Sequence, residues 1–319
     1  MSKIMIFQKI KNFLLKYKVI IQITISIIIL IIIFQKIDFR VVISMLFELD
    51  LGLFIILLCI SAIKLFTQVL NWSLCLKIFS PPYPLSTILK THLIGLALRF
   101  IVPGGFGIFG KAFYINKELK QTVYSVVVEK FFIFWVICFF AGWAIIISPI
   151  NFPLSIIHYP LSIIITISPL LLIFIFKELI KNSNYIKTFP KIMISQIVFE
   201  ILTFTQYFLL LQFFLQIGLS FFDVSICIAL ILVANIIPIT YSGLGLREAA
   251  SALLLPKIGI PAEIAVGASL IIFLLNAVIP ALPGVVFIAM HKKENDNTPH
   301  INTEASSGTT VEMPDDGEK

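Results

Sequence analysis

The chain has 319 residues, of which 59% are hydrophobic and only 13% charged, and its mean hydropathy is +1.04. Soluble domains carry roughly 45–50% apolar and roughly 25% charged residues, so a water-soluble fold could not cover this much apolar surface. The formal charge is +7, and its basic excess lies before residue 292, on connections and flanks of apolar runs. That placement is typical of segments beside anionic lipid, and we therefore expect membrane lipids and no nucleic acid as partners.

Eight apolar runs recur along the chain, and most reach the ~20 residues that a helix needs to cross a hydrocarbon core. They are continuous and rich in Ile, Leu and Phe, which favours helices over the alternating strands of a barrel. The sequence therefore predicts an all-α integral membrane protein with about eight membrane segments. The runs are 19–35, 52–76, 85–102, 122–147, 156–176, 192–217, 222–239 and 262–289.

The first run follows a basic segment, residues 1–18, that carries five lysines. This arrangement resembles a signal peptide, but no small-residue cleavage site follows Phe34, so an uncleaved span with a cytoplasmic flank is predicted. The membrane domain is expected to cover 19–290. The acidic, Ser-, Thr- and Asn-containing segment 291–319 is predicted to be a disordered cytoplasmic tail.

Positive charge predicts the sidedness of the connections. Segment 177–191 carries four lysines and one glutamate and is expected in the cytoplasm, whereas 148–159 carries neither Lys nor Arg and is expected outside. If all eight runs crossed, the three lysines within 103–121 would face outward, against this rule.

Two re-entrant hairpins remove that conflict. Residues 85–117 would enter and leave from the cytoplasm, and residues 222–256 from outside, which leaves six full crossings and both termini in the cytoplasm. Oppositely oriented broken helices in two halves are typical of an inverted repeat and point to a transporter's substrate site.

The first hairpin contains a glycine-rich motif from Arg99 through Pro103, Gly104 and Gly107 to Lys111. It contains GxGxxG and GxxxxGK spacings, but its flanks are membrane-grade helices and Ala112 stands where a phosphate loop needs Ser or Thr, so neither nucleotide site is expected. Backbone N–H groups freed by glycine, together with a lysine, suit a lipid phosphate. The alternative is a tight bend whose lysine extends to the interface.

The second hairpin contains Pro238, Gly243, Gly245, Arg247 and Glu248, which predict an unwound segment followed by a helix start. The guanidinium fork of Arg247 suits phosphate, and Glu248 suits a cation or the first turn of a helix. The alternative is an interfacial helix cap.

Ionisable residues inside membrane segments are costly and count as functional candidates. Helical spacing places Lys64 on one face with Gln68 and Asn71, and places Glu200 on one face with three further polar residues. A Lys64–Glu200 or Lys64–Glu129 pair lining a polar cavity is one hypothesis, and helix-to-helix hydrogen bonding without transport is the other. The candidates are Lys64, Glu129, Lys130, Glu200 and His92.

These motifs together resemble the flippase-like membrane domain of lysylphosphatidylglycerol synthases, over about residues 15–290. The matching blocks are Pro103-Gly104, Gly107 and Lys111-Ala112, then Glu129-Lys130, then Pro238 with Gly243-Leu244-Gly245-Leu246-Arg247-Glu248-Ala249. The resemblance implies a lipid-handling domain that translocates a phospholipid or polyprenyl-linked lipid between leaflets of the plasma membrane.

Three departures from the family pattern stand out. Ile108 replaces the usual Glu and so removes a charge partner, Lys111 replaces Arg, and Tyr241-Ser242 replaces Pro-Gly. The 29 residues after 290 are too few for a soluble aminoacyl-transfer domain, so we expect a stand-alone member that does not synthesise lysyl-lipid. The sequence shows no catalytic arrangement, cofactor motif or metal-ligand spacing, so we expect no enzyme. The alternatives are a membrane enzyme or accessory subunit in lipid or lipid-linked sugar modification, or a scaffold for a partner synthase or glycosyltransferase.

Overall fold

The computed structural model describes residues 39–101, 103–115, 119–147, 184–216, 218–236, 240 and 243–296, together with residues 24, 27, 28, 31, 35 and 163. The predicted N-terminal segment 1–18 lies outside the described residues, as do Pro238, most of the run 19–35 and all of the run 156–176 except residue 163. Most of the predicted tail lies outside them as well. The topology predicted for those segments therefore stays a prediction.

The described residues form helices throughout, as the continuous apolar runs predicted. The α-helices are α1 (Phe39–Phe47), α2 (Leu51–Phe79), α3 (Leu85–Ile101), α4 (Leu119–Ile147), α5 (Asn184–Leu215), α6 (Phe221–Ile236), α7 (Leu246–Leu254), α8 (Ala262–Phe273) and α9 (Ile279–Asp296). A 3₁₀ helix covers Pro103–Tyr114, a short one covers Leu255–Ile258, and a π-helical turn, Leu274–Val278, joins α8 to α9.

Four stretches in this described part are long and apolar enough to cross a membrane. They are Leu51–Phe79, Leu119–Ile147, Lys187–Leu215 and Ala262–Met290. Three of them cover a predicted run completely, and Lys187–Leu215 covers the run 192–217 except for its last two residues. The described parts of α3 and α6 have 17 and 16 residues. Residue 102, which follows α3, and residues 237–239, which follow α6, lie outside the described residues, so the prediction that these two segments do not cross stays a prediction.

The ends of α2 show how sequence fixes a boundary. The Asp50 carboxylate accepts hydrogen bonds from the backbone N–H groups of Gly52 (2.8 Å) and Leu53 (3.1 Å), which caps the start of the helix. The helix ends at Phe79, just before the Pro81-Pro82 pair, which cannot continue a helical ladder.

The first glycine motif forms a hairpin in which the 3₁₀ helix folds back along α3. A Cβ atom on Gly107 would overlap the backbone carbonyl of Leu98, and one on Gly95 would lie 3.1 Å from the Cβ of Lys111. The two arms therefore run antiparallel at backbone contact distance, which requires glycine at Gly107. The bend predicted from Pro103 and Gly104 is present, because both residues begin the 3₁₀ helix.

The second motif also turns sharply. Gly243 and Gly245 have φ angles of 81° and 89°, which L-residues rarely adopt, and α7 begins directly afterwards. Helix α7 packs on both α6 and α8. The predicted helix start after Gly245 is therefore confirmed.

The bundle is held by three main helix pairs, α2 with α5, α3 with α9 and α4 with α6. The largest apolar core lies among α5, α6 and α8. Large apolar side chains also cover the outside of the bundle; Phe66, midway along α2, is 53% exposed. An apolar exterior around a packed interior is what a protein in lipid requires.

Candidate functional site

A cavity of about 540 Å³ lies inside the helix bundle. Side chains from every described α-helix except α1 contribute to its wall, which is mostly apolar. The charged lining residues are Lys64, Arg99, Glu129, Lys130, Glu200 and Arg247. All six had been predicted as site residues, although they come from five helices that are far apart in the sequence.

Lys111 lies behind this wall and does not line the cavity. Its side chain is fully buried, and its ammonium forms an ion pair with the carboxylate of Glu129. The same ammonium lies 3.9 Å from the ring centroid of Trp72, a cation–π contact. Lys111 therefore neutralises a buried carboxylate and anchors the first hairpin to α2 and α4.

Neither of the two ion pairs considered from the sequence, Lys64–Glu129 and Lys64–Glu200, is a salt bridge among the described residues. Glu129 binds Lys111, and the Lys64 ammonium donates to Gln206 Oε1 instead. Ile108 provides no carboxylate to Lys111, and Glu129 of the next helix, α4, pairs with it instead.

The second motif forms a similar unit. The guanidinium of Arg247 pairs with the carboxylate of Glu248, and its Nε donates to Ser269 Oγ at 2.8 Å. The other oxygen of Glu248 accepts from the backbone N–H of Gly245 at 2.7 Å, so this carboxylate also caps α7. Arg247 lies 4.7 Å from the ring centroid of Phe273 and, unlike Lys111, lines the cavity.

Gln206 connects Lys64 to the rest of the bundle. Its Oε1 accepts from Lys64 Nζ at 2.9 Å and from Asn276 Nδ2 at 2.8 Å. Its Nε2 donates to Ser61 Oγ and to the backbone carbonyl of Leu57, at 2.8 and 3.1 Å. Lys64 is therefore fixed by an amide rather than by a carboxylate, and α2, α5 and the π-helical turn are joined through one side chain.

Glu200 is buried, with 2% of its surface exposed, and its Oε2 accepts no hydrogen bond from the described residues. The predicted face of α5 is confirmed, because Gln196, Thr203 and Tyr207 line the cavity with Glu200. In α3, His92 Nε2 lies 3.1 Å from Gln68 Oε1, which brings the predicted polar face of α2 against the first hairpin. The structure thus places the cations and the carboxylates around one volume.

The glycines of both motifs shape this volume without lining it. Gly107 allows the hairpin to close, and Gly243 and Gly245 turn the chain into α7. Pro103 and Gly104 begin the 3₁₀ helix. The glycines and Pro103 therefore determine the course of the backbone, whereas Arg99, Lys130 and Arg247 place positive charge in the cavity wall.

Sequence reasoning missed several residues that organise the site. Gln206 and Asn276 gave no signal of their own, because a single amide in an apolar run also suits helix packing. Trp72, Phe273 and Ser269 were also missed, because a single aromatic or hydroxyl residue in an apolar run does not indicate which charged residue it contacts. Their roles depend on which helices meet, and that information is not local.

Comparison with known proteins identifies one family. Residues 19–284 match the family described as "Lysylphosphatidylglycerol synthase TM region". No curated protein and no solved structure matched the chain. The match covers most of the chain and includes every residue of the cavity wall, so this multi-pass membrane protein belongs to the family of lysylphosphatidylglycerol synthase transmembrane regions.

Proposed function

We propose that this protein moves a lipid with an anionic headgroup, a phospholipid or a polyprenyl-linked lipid, between the leaflets of the plasma membrane without changing it chemically. The observation that carries the proposal is the charged cavity inside a bundle whose exterior is apolar. A headgroup could occupy the cavity while its acyl chains remain in lipid.

The charge of the cavity region favours an anion. Four basic side chains and two carboxylates line it. Two further charged residues do not line it but form ion pairs with lining residues, Lys111 with Glu129 and Glu248 with Arg247. With all of these groups ionised, basic side chains exceed carboxylates by two. In a low-dielectric interior such an excess attracts a phosphate and disfavours a cationic ligand.

The residues divide into two roles. Arg99, Lys130, Arg247 and Lys64 line the volume and are the groups that would contact a headgroup. Lys111 is completely covered, so in this proposal it positions Glu129 and the hairpin rather than binding lipid.

The proposed topology has six crossings, two re-entrant hairpins and both termini in the cytoplasm. The short helices α3 and α6 support it, because each belongs to a chain segment that doubles back. In this arrangement side chains from both hairpins line the cavity. Cysteine accessibility at the exposed positions Lys120 and Lys257, which follow the buried positions 115 and 255, tests it: opposite sides are expected, and labelling of both from one side would contradict it.

Leaflet exchange in reconstituted vesicles tests the function. Phosphatidylglycerol and phosphatidylcholine that carry a fluorophore on one acyl chain are compared by chemical quenching of the outer leaflet, with protein-free vesicles as the baseline. We expect faster exchange of the anionic lipid. Equal rates for the two lipids, or no rate above the baseline, would refute the proposal.

Two lysines of the same helix provide the matched comparison. Lys130→Gln removes a cation from the cavity wall, whereas Lys120→Gln removes an exposed one at the start of α4. Loss of one charge-assisted contact worth about 1.5 kcal/mol predicts about tenfold slower exchange for Lys130→Gln. Lys120→Gln should exchange lipid at the wild-type rate.

A second role, as an accessory subunit for a lipid-modifying synthase or glycosyltransferase, is compatible with the same cavity. Glu129 and Glu200 both line it, so two carboxylates face the space that a headgroup would fill. Co-purification of such an enzyme with the full chain, together with absence of exchange by the chain alone, would favour this role over transport.

A further inference from the structure

Glu200 differs from the other carboxylates that are buried in the described part of the bundle. Glu129 pairs with the ammonium of Lys111, and Glu248 pairs with the guanidinium of Arg247. Glu200 is as deeply buried, with 2% of its surface exposed, but its Oε2 accepts no hydrogen bond and its carboxylate forms no ion pair with the described residues. The fold thus gives partners to two buried carboxylates and leaves the third, in the cavity wall, without one.

Lys64 is the charged residue that interacts electrostatically with Glu200, and it lies on α2, which packs against α5. Its ammonium is already held in place, because it donates to Gln206 Oε1 at 2.9 Å and lies 4.8 Å from the ring centroid of Phe199. The ammonium therefore attracts the carboxylate without supplying the hydrogen bond that would replace the water lost on burial.

The other helices around Glu200 do not supply this hydrogen bond either. Helices α6 and α8, which also pack against α5, line the cavity only with apolar side chains. The remaining titratable groups of the cavity wall lie on α3, α4, α5 and α7, and they are His92, Arg99, Glu129, Lys130, Tyr207 and Arg247. Glu200 Oε2 thus has no donor from the described residues.

A buried carboxylate without a partner can be stabilised by binding a proton. The ionised form is costly in an apolar interior unless it is paired and hydrogen-bonded, and the neutral acid avoids most of that cost. The cavity of about 540 Å³ is far larger than the ~30 Å³ that one water molecule occupies in the liquid, so water can bring a proton to Glu200 and remove it. Intramembrane carboxylates that face such cavities are typical of proton relays.

From this geometry we infer that Glu200 binds a proton together with the anionic headgroup, so that each lipid crosses the membrane with one proton. This inference rests on the proposed function and adds its coupling ion. A hydronium ion in the cavity transfers the proton to a carboxylate oxygen of Glu200. Water takes the proton back after the headgroup has left on the other side.

Charge makes the two binding events cooperative. A phosphate in the cavity repels the ionised Glu200 carboxylate, and protonation removes this repulsion. Protonation also raises the excess of basic side chains over carboxylates in the cavity region from two to three. Such coupling is reciprocal, so the proton strengthens binding of the headgroup and the headgroup strengthens binding of the proton. A singly charged headgroup and one proton together carry no net charge across the membrane.

The first test measures lipid binding without transport. Acyl-labelled phosphatidylglycerol is titrated with the purified full chain in detergent and followed by fluorescence anisotropy, over a series from about pH 5 to about pH 8. The lipid phosphate keeps its charge throughout this series. We expect wild type to bind about fivefold or more tightly at the acidic end than at the alkaline end. Glu200→Gln, a neutral side chain of the same size, should bind equally across the series.

Two further variants separate Glu200 from the rest of the wall. His92→Gln removes the side chain that titrates in this range without any perturbation, and the pH dependence of binding should persist. Glu200→Asp keeps a carboxyl group and should also retain a pH dependence. Size-exclusion profiles establish that each variant is folded, and Glu200→Met replaces Glu200→Gln if the latter aggregates.

The second test measures coupling in proteoliposomes. A gradient of about one pH unit, acidic outside, is imposed on vesicles whose outer leaflet contains acyl-labelled phosphatidylglycerol, and albumin extraction reports the lipid left outside. Valinomycin and equal potassium concentrations hold the membrane potential at zero. Transport of one proton with each lipid raises the ratio of inner to outer lipid toward about tenfold, the ratio of the proton activities. The gradient should produce no accumulation beyond that of protein-free vesicles with Glu200→Gln.

Each other outcome is decisive. Binding that does not depend on pH in wild type, or that keeps its pH dependence in Glu200→Gln, would overturn the inference and leave Glu200 as an ionised carboxylate solvated by water. Lipid exchange that ignores the gradient, or accumulation on the acidic side, would also overturn it while leaving the proposed transport intact. Binding that depends on pH through Glu200 but occurs without leaflet exchange would refute transport and support the proton site.

Discussion

Replacing Lys111 with methionine is expected to destabilise the protein strongly, because it leaves the Glu129 carboxylate buried without its partner. Lys111 is fully buried and Glu129 is 2% exposed. Breaking a buried ion pair from one side costs about 3–5 kcal/mol, whereas replacing both partners with apolar groups of similar volume is often neutral. The cation–π contact with Trp72 is lost as well.

A double-mutant cycle measures this effect. Lys111→Met, Glu129→Leu and the double variant are compared with wild type by thermal unfolding in detergent, followed by tryptophan fluorescence. With about 2–4 °C per kcal/mol, the scale for soluble domains of 150–250 residues, Lys111→Met should lower Tm by about 10 °C. The double variant should recover most of that loss. Lys120→Met, an exposed change near the start of α4, is the control, and additive losses in the double variant would refute the buried pair.

Three further predictions concern the scaffold. Gly107→Ala should lower the stability of the protein by about 1–3 kcal/mol or more, because the added Cβ overlaps the backbone of Leu98. Gly110→Ala should cost less, because its Cβ contacts only the end of the flexible Leu98 side chain. Equal losses of Tm in the two variants would contradict the backbone contact. Gln206→Leu should cost about 1–3 kcal/mol, measured in the same unfolding assay, because the Lys64 ammonium loses its buried acceptor; an unchanged Tm would show that water replaces it. Phe66→Asp should reduce membrane insertion, measured as the membrane-integrated fraction after expression, because a carboxylate at a helix centre costs about 2.5–3.5 kcal/mol; normal insertion would mean that this face of α2 does not meet lipid.

The sequence predicted the helices well because apolar run length is a local property. The stretch 122–147 was recognised as a span, and the structure has a helix over Leu119–Ile147. The face shared by Glu200 and Tyr207 was also predictable, since helical periodicity alone places both on one side. The low tolerance of a bilayer for charge also identified Lys64, Lys130 and Glu200 without knowledge of the fold, whereas Arg247 was identified from the second glycine motif.

The partners of those charges could not be predicted, because pairing depends on which helices pack together. Lys111 was expected to hold a headgroup, but its ammonium is covered by Trp72 and Glu129, 39 and 18 positions away in the sequence. Likewise, Gln206 meets Lys64 across 142 positions. Such contacts are set by tertiary packing, for which local spacing carries no information.

The two buried ion pairs also differ in when they can form during biosynthesis. Arg247 and Glu248 are adjacent, so they can leave the translocation channel together as a nearly neutral unit, which lowers the cost of inserting that segment. Lys111 cannot form its ion pair until Glu129, 18 residues later in the chain, has been synthesised. The first hairpin should therefore complete its integration only after α4 has entered the bilayer, and the insertion of the N-terminal half becomes a concerted step.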